Sequence, residues 1–313
     1  MIFPATQANM SLAKRIFLEN LDECLYYPKY FVIGTVYGCN SRCIFCFNEW
    51  DKTRKSIMSM QLFDKFVDEV SAYSEWIEQV CLNHGGEPTL DKDLATRVQM
   101  LKSAGIKKTD ISTNGQLLTP QLSLKLIEAG IDAISISINA MTKPTYEKIH
   151  RGLNFDVVMN NTMQLFRLRD ELRPNLQIRV RMLVLEENEP EVNDWLIYWK
   201  KYAKENDRIY AKPPHSFGNQ IWQNSTDDVE IFAKQPCVSP FSTLVMQTDG
   251  TIGLCCADYD TKIRLGDFST QTIKDIWNGE KFNKIRHNHA NENRNAIKLC
   301  RGCNIWERDA VEM

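Results

Sequence analysis

The chain has 313 residues, of which 43% are hydrophobic and 25% charged, and its formal net charge is −2. This composition is typical of a globular protein of one large or two ordinary domains, and the near-neutral charge gives no sign of nucleic-acid binding. No apolar run approaches the ~20 residues of a membrane span, and the amino-terminal segment does not resemble a signal peptide. We therefore expect a cytoplasmic protein without a nucleic-acid or membrane partner, whose cysteines serve metals or chemistry rather than disulfides.

Strand and helix patterns alternate along most of the chain. Strands are expected, in chain order, at residues 30–36, 80–83, 109–113, 131–138, 177–185 and 208–212. Helices are expected after the Ser59 cap, through Leu94 to Gly105, from Thr119 to Gly130, and at residues 155–172 and 191–204. Short connections between such elements favour parallel strands with right-handed crossovers. Six strands are too few for the usual eight-stranded barrel, so a curved, partial α/β barrel is expected, with its sites at the carboxyl ends of the strands.

A CxxxCxxC loop follows the first expected strand and contains Cys39, Cys43 and Cys46. Three thiolates this close in sequence can ligate three irons of one [4Fe–4S] cluster, which leaves the fourth iron open to a ligand from outside the protein. A structural zinc site is the alternative, but such sites usually combine two CxxC or Cys/His elements, and no histidine lies near this loop.

This loop, with Phe45 just before its last cysteine, resembles that of the radical S-adenosylmethionine (SAM) enzymes. The resemblance implies a partial (β/α)6 barrel, a SAM molecule bound to the open iron, and Phe45 among the cofactor-binding residues. It also implies a reaction: an electron, delivered by a donor such as flavodoxin or ferredoxin, cleaves SAM to methionine and a 5′-deoxyadenosyl radical. That radical removes a hydrogen atom from the substrate.

A GGEP segment, in which Gly85, Gly86 and Glu87 precede a proline, follows the second expected strand. Taken alone it is a common turn. In radical SAM enzymes the similar segment contacts the methionine amino group of SAM. The glycines permit a close backbone approach, and the carboxylate can accept a charge-assisted hydrogen bond from an ammonium group.

Two further segments resemble SAM-binding parts of the family. Ser137, near the end of the fourth strand, matches the serine of an SLDG segment, although Asn139 and Ala140 replace its Asp-Gly pair. Arg151 matches an arginine that pairs with the SAM carboxylate; otherwise it is a solvated surface residue. Arg179 and Arg181 share one face of their strand, and that face lies either inside the barrel, where it would suit an anionic ligand, or outside it.

Four cysteines, Cys237, Cys255, Cys300 and Cys303, form a second group, and Asp249-Gly250 predicts a tight hairpin before the second of them. Spacing alone permits a four-cysteine zinc site. The arrangement resembles the opening of a SPASM domain, and since no cysteine follows Cys303, it implies the truncated form called a twitch domain, with one auxiliary [4Fe–4S] cluster.

The expected domains are an amino-terminal helical extension (1–29), the radical SAM barrel (30–225) and the auxiliary domain (232–313). Strand alternation predicts that Cys256 points away from the auxiliary cluster, where it could donate a hydrogen atom to a substrate radical; the alternative is that it packs against the hairpin. Cys24 and Cys81 are expected to be small buried hydrophobic residues, and His287 and His289 to be solvated.

The resemblance implies an enzyme with two [4Fe–4S] clusters and SAM as cofactors. We expect a dehydrogenase or epimerase of a small polar metabolite, such as a sugar or aminocyclitol. A peptide maturase is the alternative within the family, and a non-catalytic iron–sulfur or zinc scaffold is the alternative from another class.

Overall fold

The computed structural model describes residues 2–46, 56–218, 220, 226–303 and 305. Its strands are β1 (Tyr30–Ile33), β2 (Val36–Tyr37), β3 (Arg42–Cys43), β4 (Ser56–Ile57), β5 (Gln79–Cys81), β6 (Thr109–Thr113), β7 (Ala133–Ser137), β8 (His150–Arg151), β9 (Gln177–Leu183), β10 (Arg208–Lys212), β11 (Thr243–Met246), β12 (Thr251–Gly253) and β13 (Gly266–Asp267). Its α-helices are α1 (Gln7–Arg15), α2 (Met60–Ser71), α3 (Leu94–Ser103), α4 (Pro120–Glu128), α5 (Lys143–Ile149), α6 (Phe155–Leu172), α7 (Val192–Lys200), α8 (Thr226–Ile231), α9 (Ser239–Ser242), α10 (Ile273–Trp277) and α11 (Glu280–Ala290).

Nine strands form one sheet in the order β10-β9-β7-β6-β5-β1-β11-β12-β13. The six strands expected from the sequence pair with one another in parallel, from β1 to β10. The partial α/β barrel is therefore confirmed. The expected hairpin is also present: β11 and β12 pair antiparallel, and Gly250 between them has a φ of +87°, which suits glycine.

The hairpin is not detached from the barrel sheet, because β11 pairs in parallel with β1 over four residue pairs. The carboxyl-terminal segment thus continues the sheet beyond its first strand. Part of the expected boundary between barrel and auxiliary domain, residues 221–225, lies outside the described residues, as do residues 304 and 306–313.

Side-chain alternation gives the sheet one apolar and one polar face. The apolar face buries residues such as Phe31, Val80, Ile111, Ile134 and Val180 against the helices, in the main hydrophobic core. The caps that define these helices are those expected from the sequence: the Ser59 hydroxyl accepts a hydrogen bond from the Leu62 amide, and the Thr119 hydroxyl one from the Leu122 amide.

The amino-terminal extension packs against the carboxyl-terminal part of the chain. A second core joins residues of α1 and the following 3₁₀ helix (Leu21–Leu25) to Phe241 and Ala290. The Trp277 indole donates a hydrogen bond to the Cys24 carbonyl over 2.7 Å. Cys24 is 1% exposed, so its predicted burial is confirmed.

Two minor expectations are wrong. Cys81 is on the polar face of β5, where it lines a cavity and contacts the Asn83 side-chain oxygen over 2.9 Å. His289 is buried rather than solvated, and its Nδ1 accepts a hydrogen bond from the Cys237 amide. The error at Cys81 concerns which face of β5 it occupies, whereas that at His289 arises from a contact between distant segments, which local polarity does not reveal.

Candidate active site

The polar face of the barrel sheet lines a cavity of about 640 Å³. Side chains at every second position point into it from five neighbouring strands or their ends, among them Asn83, Asp110, Ser112, Ser135, Arg179, Arg181, Tyr210 and Lys212. Arg179 and Arg181 therefore face the interior, which resolves the choice left open by the sequence. A cavity of this size and polarity suits a small polar ligand.

The CxxxCxxC loop lies beside the segment that contains Arg151. β3 pairs antiparallel with β8, with Arg42 opposite Arg151 and Cys43 opposite His150. The Cys43 sulfur lies 3.2 Å from His150 Nδ1 and 3.1 Å from the Ser41 hydroxyl. The loop is therefore anchored to β8 by backbone pairing and by contacts of its own cysteine.

The three thiols of this loop are near enough to affect one another's pKa, although no three metal-ligating side chains among the described residues are close enough to hold a single metal ion. Burial, together with negative charge on Cys46 and Cys39, raises the pKa of Cys43 to about 12. Burial likewise raises the pKa of Cys39 to about 11, with contributions from Glu87 and Cys46. Thiols whose pKa values are raised ionise poorly on their own, but three cysteines are a suitable donor set for an iron–sulfur cluster, whose irons stabilise thiolates.

The GGEP segment lies directly against the CxxxCxxC loop. The Glu87 amide donates to the Gly38 carbonyl over 2.9 Å, and a Cβ at Gly86 would overlap the carbonyl oxygens of Val36 and Gly38. Gly85 has a φ of +66°, in the left-handed region. Both glycines are thus required by the backbone, which agrees with a close approach of this segment to the cluster loop.

The Glu87 carboxylate is 3% exposed and is held by its own chain. One oxygen accepts hydrogen bonds from the hydroxyls of Thr89 and Thr113, and the other accepts one from the Asn114 amide. Burial raises its pKa, while these hydrogen bonds oppose the shift. Glu87 therefore connects the GGEP segment to the loop after β6, and its contact with the SAM amino group stays a prediction.

The remaining predicted SAM residues lie around the same edge. The Ser137 hydroxyl accepts a hydrogen bond from Arg181 Nε over 2.9 Å. Arg151 is exposed beside the cysteine loop, and its carbonyl accepts a hydrogen bond from the Ser41 hydroxyl. The Phe45 ring meets the His150 imidazole edge-on at 5.6 Å. These positions agree with the predicted roles and leave them untested.

In the second group, Cys237, Cys300 and Cys303 are buried and Cys255 is partly buried, and the thiols are near enough to affect one another's pKa. Burial raises the pKa of Cys300, and negative charge on Cys237 and Cys303 raises it further. The pKa of Cys255 is raised by burial and then by Cys256, Cys300 and Cys237. The cation that opposes the shift at Cys300 is Arg294, whose guanidinium donates to the carbonyls of Cys300 and Cys303. This donor set also fits an iron–sulfur cluster.

The orientation expected for Cys256 is wrong in one respect. β12 ends at Gly253, and residues 254–257 form a bend and turn, so strand alternation does not separate Cys255 from Cys256. Burial, together with negative charge on the nearby Cys237 and Cys303, raises the pKa of Cys256 to about 12. Cys256 nevertheless lines the cavity, so it lies between the cavity and the auxiliary cysteines.

Two residues of the site were not identified from the sequence. The Tyr259 ring stacks on His84 at 5.0 Å. Burial raises the pKa of Tyr259, and negative charge on Cys46 and Cys256 contributes, so the ring lies near both groups of cysteines. Lys212 ends β10 inside the cavity. Tyr259 belongs to no motif that could have identified it. Lys212 could have been identified, because it lies an even number of residues from Arg208 and Tyr210 in its strand and therefore shares their face.

Comparison with known families accounts for both groups of cysteines. A family model for the radical SAM superfamily matches residues 33–196. The chain belongs to the radical SAM superfamily. A model for the SPASM iron–sulfur cluster-binding domain matches residues 237–304. This radical SAM enzyme therefore uses SAM and two iron–sulfur clusters, and nothing supports the alternative of a non-catalytic scaffold.

Individual relatives agree with this assignment. The sequence is 35% identical over 267 residues to a probable GTP 3′,8-cyclase of Sulfurisphaera tokodaii, a match that covers 74% of this chain and 84% of the relative. The structure of BtrN in complex with AdoMet and 2-DOIA is similar with a TM-score of 0.61 at 19% identity, over 89% of this chain and 93% of BtrN. That of anSMEcpe with bound AdoMet and Kp18Cys peptide has a TM-score of 0.62 at 17% identity, over 91% and 92%. At these identities the two structures show the fold alone.

Among the residues that the structure describes, none of the helices is both long and apolar enough to span a membrane.

Proposed function

We propose that this radical SAM enzyme abstracts a hydrogen atom from a carbon of a small polar substrate, in an oxidation or an epimerisation. The observation that carries the proposal is the polar cavity of about 640 Å³, which extends from the strand ends near the GGEP segment to Cys256 beside the auxiliary cysteines. A substrate in this cavity would lie between the two groups of cysteines.

Three cysteines, Cys39, Cys43 and Cys46, would hold the SAM-binding cluster. When bound, that cluster supplies the electron that cleaves SAM, with flavodoxin or ferredoxin as the class of donor. The SAM molecule would be held by Phe45, Gly85, Gly86, Glu87, Ser137 and Arg151. The Glu87 network supports this arrangement, because it holds the GGEP segment and the loop after β6 in one rigid edge.

The auxiliary cluster would be held by Cys237, Cys255, Cys300 and Cys303. Its position beside the cavity supports a role as acceptor of the electron that a substrate radical must lose, together with a proton, to complete an oxidation. Four thiolates fill four irons, so this cluster would need no further ligand.

Cys256 would instead allow an epimerisation. Its raised pKa keeps the thiol protonated at neutral pH, which is the form that can donate a hydrogen atom. Donation to the opposite face of a substrate radical inverts the carbon and leaves a thiyl radical on Cys256. One electron from the flavodoxin- or ferredoxin-type donor and one proton from solvent then restore the thiol.

A second candidate function is the cyclisation of a nucleotide, favoured by the probable GTP 3′,8-cyclase relative, of which this chain covers 84% at 35% identity. A peptide maturase is the third. The anSMEcpe structure contains a bound peptide, but the fold likeness alone does not transfer that substrate to this chain. The volume of the cavity, about 640 Å³, and the polar side chains that line it favour a small substrate over a peptide.

The experiment is anaerobic reconstitution of the full chain followed by reduction in the presence of SAM. We expect about eight irons per chain, from two four-iron clusters, and formation of 5′-deoxyadenosine. Incubation with GTP and with a panel of sugars and aminocyclitols then separates the candidates by product. Bound zinc instead of iron, or no SAM cleavage, would refute the proposal.

A further inference from the structure

The side of the cavity formed by β9 and β10, the two strands at one edge of the sheet, is basic. Four of the five charged side chains that line the cavity in the described part of the chain are cations, Arg15, Arg179, Arg181 and Lys212, and the fifth is Asp110. Arg179 is neutralised, because its Nη1 donates to the Asp110 carboxylate over 3.0 Å. Farther along the strands, Arg181 and Lys212 form no ion pair with any residue that the structure describes.

Arg181 is held in place by neutral partners. Its Nε donates to the Ser137 hydroxyl over 2.9 Å, and its Nη2 donates to the Ser112 hydroxyl over 2.6 Å. These hydrogen bonds orient the guanidinium, and no carboxylate among the described residues pairs with it. A cation that the protein orients without neutralising is suited to receive an anion.

Lys212 lies on the adjacent strand, on the same face. β9 and β10 pair with Arg181 opposite Tyr210, so Lys212 is one same-face position farther along. Within the part of the chain that the structure describes, the Lys212 ammonium forms neither an ion pair nor a hydrogen bond. Burial and the charge of Arg181 both lower its pKa, as expected of a half-buried cation beside another cation.

His215 completes the group three residues after Lys212. Its Nδ1 accepts a hydrogen bond from the Phe217 amide over 3.1 Å, so the proton of the neutral ring is on Nε2. Burial, Lys212 and Arg181 lower its pKa to about 4, which keeps the ring neutral and Nε2 a donor. The ring lines the same cavity.

We propose that Arg181, Lys212 and His215 form a binding site for a phosphate or carboxylate group of the substrate. The inference rests on the proposed function and narrows its substrate class to anionic metabolites. Two cations and one neutral donor provide the charge and the hydrogen bonds that such oxygens need. His84, whose buried Nε2 has no hydrogen-bond partner among the described residues, lines the same cavity and adds a further polar atom for the substrate.

One other anion could occupy this site, namely the carboxylate of SAM. Removal of the Lys212 charge distinguishes an anionic group of the substrate from the carboxylate of SAM. If the site binds the substrate, Lys212→Gln weakens the binding of an anionic substrate much more than it lowers SAM affinity or substrate-independent SAM cleavage. If it binds SAM, both fall.

The test is calorimetric titration of the reconstituted, SAM-loaded enzyme with anionic probes beside their neutral counterparts: GTP with guanosine, glucose 6-phosphate and glucuronate with glucose, and pyrophosphate alone. We expect at least one anionic probe to bind about tenfold or more tightly than its neutral counterpart, because charge-assisted hydrogen bonds are the stronger ones. Lys212→Gln should remove that preference. The control is Lys200→Gln on the exposed side of α7, which should keep it.

His215→Gln provides a second variant if Lys212→Gln retains less iron than the unaltered enzyme, and it should weaken the same probe. The inference is overturned if no anionic probe is preferred, if the preference survives in Lys212→Gln and His215→Gln, or if these variants lose SAM affinity instead. Cleavage of SAM by the unaltered enzyme, measured in parallel, separates these outcomes from a failure of the proposed function.

Discussion

The imidazole of His84 stacks on the phenol ring of Tyr259, with ring centroids 5.0 Å apart and planes inclined by 26°. His84 directly precedes the GGEP segment, and Tyr259 follows the Cys255-Cys256 pair. The stack therefore connects the edge that carries the GGEP segment to the loop that carries Cys255 and Cys256. The Phe217 ring meets Tyr259 edge-on at 5.3 Å and extends the contact.

Removal of the Tyr259 ring should loosen this connection. We expect Tyr259→Leu to lower the free energy of unfolding by about 1 kcal/mol or more, since an aromatic pair contributes ~0.5–1.5 kcal/mol beyond its buried area. Tyr259→Phe keeps the ring and is the matched control. Denaturant unfolding of the two variants measures the difference, and equal stabilities would show that the stack contributes nothing.

The buried carboxylate of Glu87 should be important for stability as well as for SAM binding. Glu87→Gln replaces one acceptor oxygen by a donor that faces either the Asn114 amide or the Thr89 and Thr113 hydroxyls. We expect a loss of about 1.5–3 kcal/mol, the range for hydrogen bonds to a charged group. Urea unfolding checks this against Glu128→Gln, an exposed control on α4. Equal stability of the two variants would contradict the account.

Stability should fall in mild acid, because several histidines are buried in the neutral form. Burial lowers the pKa of His84 to about 4 and that of His289 to about 3, from an ordinary value of 6.5. A lowered pKa means that the unfolded chain binds the proton first, so stability is intact above pH 6.5 and is lost as the pH falls toward 4.

Each such histidine can add up to about 1.4 kcal/mol per pH unit to the decrease in the free energy of unfolding. His289→Asn should therefore flatten the pH dependence of the unfolding free energy between pH 6.5 and 4, whereas the exposed His287→Asn should not. Thermal unfolding at several pH values measures the slope. A slope unchanged in His289→Asn would mean that this ring is protonated within the fold.

Local patterns predicted the barrel well, for identifiable reasons. The six parallel strands alternate a continuous apolar face with a polar one, and the caps at Ser59 and Thr119 depend on neighbours within three residues. Errors occurred where the outcome depends on distant contacts. His289 is buried because it accepts a hydrogen bond from the amide of Cys237, 52 residues away.

The sequence predicted the candidate metal-ligating cysteines of the site better than the residues around them. The cysteine spacing and the GGEP segment are local and were recognisable. The alternation assumed for Cys256 failed because β12 ends three residues earlier, and strand ends are the least predictable part of a pattern. Tyr259 has no motif, and its place over Gly85 follows only from the way the auxiliary loop folds back onto the barrel.

The role of Cys256 as a hydrogen-atom donor can be tested by isotope exchange. A thiol exchanges with solvent, so product formed in heavy water should carry one deuterium at the reacting carbon. Cys256→Ala should block turnover while the iron content and SAM cleavage remain. Mass spectrometry of the product checks the label. A product without solvent deuterium would make net oxidation the better description and Cys256 a structural residue.

The central claim is that Cys39, Cys43 and Cys46 hold the cluster that cleaves SAM, separately from the auxiliary cysteines. The direct measurement is 5′-deoxyadenosine formation by the variant in which all three are alanine, reconstituted and reduced without oxygen, beside the control Cys24→Ala. We expect no 5′-deoxyadenosine and retention of about half the iron, on the auxiliary site, with the control unaffected. Continued SAM cleavage by the triple variant would contradict the account.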